Sequence, residues 1–290
     1  MSETASGRTG PQAEFLNRTN IPFRTDGGVA ERARIGVIVL ASDHTIEHEF
    51  RQIITMPGVA FYEARIRNDP AITPETLADM ELRIGPTADL ILPGMALDVV
   101  AYGCTSASMV LGEQTVFDRI HEARPGVACT TPITAAFAAF DAFDARNVAV
   151  LTPYRDDVNR RVRSYIEGRG YRVSAFGSFN EEDDNVAARI DLDSIRSAAV
   201  ELGRTEGVDA VFVSCTSIRL ATVAREVEEE LGKPVTSSNH AMAWHCLRLA
   251  GIDDPQPQFG RLFTLPLPSQ DQALSTHVES APTRRREPNG

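Results

Sequence analysis

The chain has 290 residues, of which 42% are hydrophobic and 24% charged, with a formal net charge of −11 and a pI near 5.1. This composition is typical of a globular protein with one large core or two smaller ones, and it excludes a fibrous or wholly disordered chain. The acidic balance disfavours nucleic acid and anionic membrane surfaces as partners, because no dense Lys/Arg patch is visible to offset the repulsion.

The two ends of the sequence differ from its middle. Residues 1–30 and roughly 270–290 are rich in Pro, Ser, Thr, Arg and Glu, and they are predicted to be a disordered N-terminal extension and a flexible tail. The first 30 residues lack the pattern of a secretory signal, and no apolar run of about 18 residues occurs in the chain. We therefore expect a cytoplasmic protein without membrane association.

Between the two ends, apolar runs rich in Val and Ile alternate with segments of helical periodicity. The runs cover residues 34–41, 59–66, 97–103, 127–132, 146–153, 171–177 and 208–214. Strands that are apolar on both faces and separated by helices predict parallel sheets covered on both sides. The predicted fold class is therefore α/β.

Two of the predicted strands occur twice. RIGVIVLA begins at Arg34, and RNVAVLTP begins 112 residues later at Arg146. DVVAYGCTS begins at Asp98, and DAVFVSCTS begins 111 residues later at Asp209. Two separate segments with nearly the same offset indicate a duplicated lobe, and the period is too long for a solenoid.

The duplication predicts two pseudosymmetric lobes, each a short parallel sheet flanked by helices. Each lobe is expected to run strand, helix, strand, helix, strand, and then a Cys-Thr-Ser turn that enters a helix. Lobe 1 is expected to comprise residues 31–135 plus about 234–269, and lobe 2 residues 136–233. Ligands of open parallel sheets bind beyond the carboxyl ends of the strands, so the active site is expected in the cleft between the lobes.

The two Cys-Thr-Ser turns carry Cys104 and Cys215, each directly after a predicted buried strand. A helix N-terminus next to a thiol is expected to lower the thiol pKa and to hold an anionic oxygen. Pseudo-two-fold symmetry would bring one thiol to each face of a substrate, which suits proton transfer between faces or attack on one face with protonation of the other. Four hydroxyl side chains next to the thiols are candidate donors to substrate: Thr105, Ser106, Thr216 and Ser217.

The other candidate ligands have simpler interpretations. Cys129 and Cys246 have no such context and are interpreted as packing residues, and no CxxC pair indicates zinc. His44 and His48 have metal-compatible spacing but no obvious third ligand, and the acidic residues 181–184 are interpreted as a solvated loop. We therefore predict neither a metal nor an organic cofactor.

Six segments, in order, resemble the aspartate/glutamate racemase superfamily, in particular the branch of maleate cis-trans isomerases, arylmalonate decarboxylases and ectoine-utilization proteins. The resemblance spans about residues 34–265. It is carried by IGVIVLAS, AYGCTSASMVLG, TPYRDDVNRRVRSYIEGRGY, DDNVAARID, VFVSCTSIRL and LGKPVTSSNHAMAWHCLRLAG, with a later FGRLF.

The resemblance implies roles for several residues. Cys104 matches the nucleophile or first base, Cys215 the opposing proton donor, and Tyr154 a tyrosine that binds a substrate carboxylate. The Thr and Ser residues of both turns would complete the carboxylate cradle, and Asn185 resembles a second-lobe asparagine of maleate isomerases.

Members with both cysteines are racemases or isomerases, whereas the decarboxylase branch has glycine at the first position. The resemblance therefore implies a cofactor-independent isomerase or racemase that acts on a small carboxylic acid. Two alternatives remain open, a decarboxylase that uses Cys215 and a non-catalytic protein that binds a small acid. We also expect a homo-oligomer, either a dimer or a tetramer.

Asp43 is a departure from the resemblance, because maleate isomerases carry an asparagine at the matching place. A carboxylate next to a dianionic substrate weakens binding unless it is protonated or paired. Asp43 therefore favours a substrate with a cationic or donor group, such as an amino acid or an ectoine-like amidine.

Overall fold

The structure is a computed structural model that describes residues 15–69, 74–181 and 183–268, with the side chains of 74–77 left undescribed. The strands are β1 Ala33–Leu40, β2 Val59–Ile66, β3 Val99–Gly103, β4 Ala128–Thr130, β5 Asn147–Thr152, β6 Arg172–Ser178, β7 Ala210–Val213 and β8 Val235–Ser237. The helices are α1 Ile46–Ile53, α2 Pro74–Asp89, α3 Thr105–Leu111, α4 Glu113–Ala123, α5 Pro132–Phe143, α6 Asp156–Gly168, α7 Asp184–Ala187, α8 Leu192–Gly203, α9 Ala224–Leu231 and α10 Ser238–Leu249.

The strands form two parallel sheets of the same topology. Their orders are β2-β1-β3-β4 and β6-β5-β7-β8, so the second sheet repeats the first strand for strand. The α/β class and the two pseudosymmetric lobes predicted from the sequence are confirmed. The central strands β3 and β7 are buried along their whole length, because helices cover both faces of each sheet.

The duplication extends to individual hydrogen bonds. Asp98 precedes β3, and its Oδ2 accepts the backbone N–H of Arg34 at 2.7 Å. Asp209 precedes β7, and its Oδ2 accepts the N–H groups of Arg146 at 3.0 Å and Asn147 at 2.8 Å. Equivalent aspartates in the two lobes therefore join the start of β3 to the start of β1 and the start of β7 to the start of β5.

The two lobes share one hydrophobic core. It contains Val37 of β1, Val150 of β5, Phe140 of α5 and Trp244 of α10, and helices α5 and α10 pack against each other. Each of these helices follows the last strand of its sheet and begins at a hydroxyl N-cap. The lobes therefore bury apolar surface against each other, in addition to the apolar surface that each buries within itself.

The structure differs from the predicted lobe boundary at residue 234. Strand β8 follows that residue and pairs with β7 in the second sheet, whereas the sequence analysis assigned it to lobe 1. Helix α5 also crosses the predicted boundary at residue 135. Only one of the three residues of β8, Val235, is apolar, so no apolar run marks this strand in the sequence. The remaining lobe boundaries, at residue 31 and at about residue 269, stay predictions.

The terminal predictions are described only in part. Residues 15–29 are exposed and contain neither helix nor strand. Residues 1–14 and the predicted tail at 270–290 lie outside the described ranges. Within those ranges no helix is both long enough and apolar enough to cross a membrane.

Candidate active site

The two thiols lie at matching places in the two sheets. Cys104 directly follows β3 and is 7% exposed, and Cys215 follows β7 by one residue and is 4% exposed. Ser238, at the start of α10, joins the two turns. Its Oγ forms a 2.9 Å hydrogen bond with Oγ1 of Thr105 and accepts the backbone N–H of Cys215 at 3.1 Å. Both Cys-Thr-Ser turns are therefore within hydrogen-bond reach of one side chain.

Cys104 occupies the N-cap of α3, as the sequence predicted, but its thiol is not acidic. Burial raises the pKa of Cys104 to about 11, although hydrogen bonds from the Ala107 N–H and the Ser106 hydroxyl favour the thiolate. The predicted lowering of the thiol pKa is therefore wrong. Loss of hydration outweighs the helix N-terminus.

Cys215 differs from the prediction in its backbone as well as in its pKa. The chain after it forms an irregular turn, and the next helix, α9, begins only at Ala224. Burial and then the charge of Asp184 raise the pKa of Cys215 to about 12. Hydrogen bonds from the Tyr154 hydroxyl and the Ser217 N–H, the latter at 3.4 Å, partly offset this increase.

The irregular turn after Cys215 is held by Glu49 of α1. Its Oε1 accepts the N–H groups of Leu220 at 2.8 Å and Ala221 at 2.7 Å, and its Oε2 accepts Nδ2 of Asn239 at 2.8 Å. Glu49 is 1% exposed, and burial raises its pKa to about 7. Sequence analysis missed this residue, because a Glu inside an amphipathic helix is usually solvated.

Tyr154 follows β5, and its hydroxyl donates a hydrogen bond to the sulfur of Cys215. Its pKa is raised well above 10, first by burial and then by Cys215, with a smaller contribution from Cys104. The backbone around it is fixed, because its N–H donates to Oγ1 of Thr152 and its carbonyl accepts Nδ2 of Asn159. The ring therefore stays near the sulfur of Cys215, where the sequence analysis expected a carboxylate-binding hydroxyl.

The four predicted hydroxyls lie around the thiols. Thr105 is bonded to Ser238, and Ser106 lies 3.8 Å from the sulfur of Cys104. Thr216 and Ser217 are nearly fully buried, and the carbonyl of Ser217 accepts the Thr45 hydroxyl at 2.9 Å.

Asp43 lies between the end of β1 and the start of α1. Its Oδ1 accepts the N–H groups of Thr45 at 2.7 Å and Ile46 at 2.8 Å, which stabilises the first turn of α1. Burial raises its pKa, and these two bonds, with a smaller contribution from the Thr216 hydroxyl, partly offset the increase.

The acidic residues 181–184 are not simply the solvated loop that the sequence suggested. Asp184 is partly buried and accepts the Ser217 hydroxyl at 3.4 Å, and its charge raises the pKa of both thiols. The prediction was wrong for Asp184 because the fold turns this one side chain inward. Asp183 is exposed, and residue 182 lies outside the described ranges.

Asn185 lies near the site but its side chain is exposed. Its Oδ1 forms a 2.8 Å hydrogen bond with Nε2 of His44, and its Nδ2 donates to Asp183 at 2.9 Å. Contact between Asn185 and substrate stays a prediction. His48 forms its own contact with Gln52, and the described part of the chain contains no cluster of three potential metal ligands.

The fold and the paired thiols define a class, the two-lobed α/β proteins of the aspartate/glutamate racemase superfamily. A family model described as arylmalonate decarboxylase matches residues 37–263. The chain therefore belongs to the arylmalonate decarboxylase family, the branch that the sequence resemblance indicated.

Relatives with assigned activities fall into two groups. The maleate isomerase of Nocardia farcinica is 28% identical over 253 residues, covering 83% of this chain and 98% of that protein. The arylmalonate decarboxylase of Bordetella bronchiseptica is 32% identical over 140 residues, covering 48% of this chain and 58% of that protein.

Solved structures show the same two groups. The Nocardia farcinica maleate cis-trans isomerase bound to Tris has a TM-score of 0.71 at 27% identity, covering 80% of this chain and 98% of that chain. A cysteine-to-serine variant of that enzyme, with a covalently bound succinylcysteine intermediate, also has a TM-score of 0.71 at 27% identity and the same coverage. Unliganded arylmalonate decarboxylase has a TM-score of 0.67 at 27% identity, covering 80% and 99%. These relatives support a cofactor-free, cysteine-based isomerase or decarboxylase.

Proposed function

We propose that this protein is a two-cysteine isomerase or racemase that acts on a small carboxylic acid. The observation that carries the proposal is the hydrogen-bonded link through Ser238, which brings Thr105 of one Cys-Thr-Ser turn and Cys215 of the other to one hydroxyl. Tyr154 is hydrogen-bonded to Cys215 and supplies a hydroxyl for the substrate carboxylate.

The proposed chemistry uses one cysteine as thiolate and the other as thiol. With a cis-enedioate, the thiolate of Cys104 adds to the double bond, the resulting single bond rotates, and the thiolate is expelled. With a chiral centre, one thiolate removes the α-proton and the other thiol returns a proton to the opposite face. Hydroxyl groups of both turns stabilise the negative charge that develops on the substrate carboxylate.

Decarboxylation is the second candidate, favoured by the family to which the chain belongs. Cys215 alone would then protonate the enediolate that remains after loss of carbon dioxide. The resemblance argues against it, because the decarboxylase branch has glycine where this chain has Cys104, and two solved variants of arylmalonate decarboxylase carry a cysteine in place of a glycine. This chain carries Cys104 naturally, which supports the isomerase or racemase.

The racemase activity, the cytoplasmic location, the homo-oligomeric state and a relation to ectoine use stay predictions. The substrate is proposed as a small acid of maleate, amino-acid or ectoine-like type.

The test is loss of each thiol in turn. Cys104→Ala and Cys215→Ala are each expected to lower turnover by at least about 10³-fold, since each removes a reacting group. Solvent deuterium exchange and product formation are measured with maleate, aspartate, hydroxyaspartate, arylmalonates and ectoine derivatives.

Cys129→Ala is the matched control, because Cys129 lies on edge strand β4, and it is expected to keep full activity. Carbon dioxide release that survives Cys104→Gly would support the decarboxylase instead. Full activity of either alanine variant in the pair would contradict both the two-cysteine mechanism and the proposed function.

A further inference from the structure

Oδ2 of Asp43 is buried and makes no hydrogen bond of normal geometry among the described residues. The residue is 4% exposed, and its Oδ1 accepts the two N–H groups that begin α1. The Thr216 hydroxyl lies near enough to the carboxylate to lower its pKa, but it does not complete a hydrogen bond to Oδ2. A buried carboxylate oxygen without a partner is destabilising. Such an atom near a candidate catalytic thiol indicates a group that is supplied by the ligand.

A second carboxylate faces the same place. Asp184 of α7 accepts the Ser217 hydroxyl, and its pKa is raised first by burial and then by the charge of Asp43. Both carboxylates also act on Cys104. Hydrogen bonds link the two acidic side chains through Ser217, because the hydroxyl of Thr45, whose N–H is bound by Asp43, donates to the Ser217 carbonyl and the Ser217 hydroxyl donates to Asp184. The N–H of Ser217 also donates to the sulfur of Cys215, so the two carboxylates lie on the side of that thiol.

The cationic side chains that act on these carboxylates are already used elsewhere. Arg65 donates through Nη1 to three backbone carbonyls at the end of β1, and its Nη2 pairs with Glu47 at 2.8 Å. His44 is bonded to Asn185. Arg65 lowers the pKa of Asp43 through its charge, but neither Arg65 nor His44 forms an ion pair with the carboxylate of Asp43 or Asp184 within the ranges that the structure describes, so Oδ2 of Asp43 stays available to a ligand.

We propose that Asp43 and Asp184 form a subsite for a cationic N–H group, so that the substrate carries an ammonium or amidinium beside its carboxylate. The proposal rests on the proposed function, because it names the substrate class of that same site. Oδ2 of Asp43 accepts a hydrogen bond from the cation, while Tyr154 and the hydroxyls of the two turns bind the carboxylate. A dicarboxylate dianion meets two like charges there and binds more weakly.

Calorimetric titration of the full-length protein at pH 7.5 tests the subsite without requiring turnover. The probes are matched pairs that differ by one ammonium group, namely aspartate with succinate and glutamate with glutarate. At least one amino acid, in either enantiomer, is expected to bind tenfold or more tightly than its dicarboxylate partner. Asp43→Asn keeps the oxygen that caps α1 and is expected to reduce that preference tenfold or reverse it.

Asp191→Asn is the control, because it makes the same change at the exposed N-cap of α8 and is expected to leave the preference unchanged. Equal or tighter binding of both dicarboxylates, no binding of any amino acid, or an unchanged preference in Asp43→Asn would overturn the proposal. Failure of the proposed function looks different, since the ammonium preference would remain while no probe is isomerised or exchanges its α-proton.

Discussion

Cys104 and Cys215 are equivalent in sequence but not in backbone setting. Cys104 begins a helix, whereas Cys215 begins an irregular turn held by Glu49. The repeated letters CTS predicted two alike helix N-termini, and only the first exists. This difference suits a pair of thiols with different roles. The N-terminus of α3 favours the thiolate of Cys104. The charge of Asp184, the second-largest cause after burial, raises the pKa of Cys215 and so favours its thiol form.

Both thiols are expected to react slowly with alkylating agents at neutral pH. Burial raises the pKa of Cys104 from 9.0 to about 11, so iodoacetamide at pH 7 is expected to modify it about 100-fold more slowly than in the urea-unfolded chain. The rate is expected to increase about tenfold per pH unit up to pH 10. Peptide mass spectrometry over a pH series measures it.

The unfolded chain serves as the internal control, because accessible thiols there ionise normally. Reaction of folded Cys104 at pH 7 as fast as in the unfolded chain would show that burial does not raise the pKa of this thiol. That outcome would restore the lowered pKa that the sequence had suggested.

Among the elements, helix α1 does most to join the lobes at the site. Its first turn is capped by Asp43, and Glu49 farther along it binds the turn that carries Cys215. The amphipathic pattern of residues 46–53 predicts a helix, but it does not show that the side chain of Glu49 faces inward. An i, i+3, i+4 pattern assigns faces by average polarity, and a single buried Glu looks like a surface residue in it.

The free energy of unfolding is expected to depend on pH through the protonation of Glu49. Burial raises the pKa of Glu49 from 4.5 to about 7, so the folded protein binds a proton there that the unfolded chain releases. Stability from this group is therefore present below pH 4.5 and is lost as the pH increases through 7, by about 3 kcal/mol in total. Glu49→Gln is expected to remove this loss.

Urea unfolding of both proteins between pH 4.5 and 8 measures the effect as a difference, in which the other titrating groups cancel. Glu201→Gln, an exposed substitution on α8, is the matched control and is expected to follow the wild type. A difference in unfolding free energy between the wild type and Glu49→Gln that stays constant over this range would show that Glu49 ionises normally in the folded protein.

In the whole molecule, the two lobes are joined through one apolar core. Phe140 of α5 is fully buried, and its ring makes edge contacts with Tyr171 and with Phe212 of β7. Such a core couples the lobes energetically, because neither sheet can lose its helix without exposing apolar surface of the other.

Phe140→Ala is expected to lower the free energy of unfolding by about 3–5 kcal/mol, because it removes a large buried ring and leaves a cavity. Unfolding is still expected to occur in one transition, followed by circular dichroism and by tryptophan fluorescence from Trp244 in α10. Phe15→Ala, at a residue that is 88% exposed, is the control and is expected to change stability little. Two separated transitions in the wild type would contradict a shared core.

The α/β class, the duplicated lobe and the two cysteine turns could all be predicted from residue pattern and repeat alone. Strands buried on both faces must be apolar throughout, and duplication leaves an offset of 111–112 residues that needs no structure to read. The seven predicted strands therefore agree with the structure to within two residues at either end.

Which polar side chains reach the site, and how acidic the thiols are, could be read only from the folded arrangement. Ser238, Glu49 and Asp184 are distant in sequence from the cysteines, and no local pattern marks them as inward-facing. The pKa of Cys104 is set by a balance between lost hydration and donated hydrogen bonds. Burial depends on which parts of the chain cover the sulfur, so it follows from the folded arrangement and not from the residues adjacent in sequence.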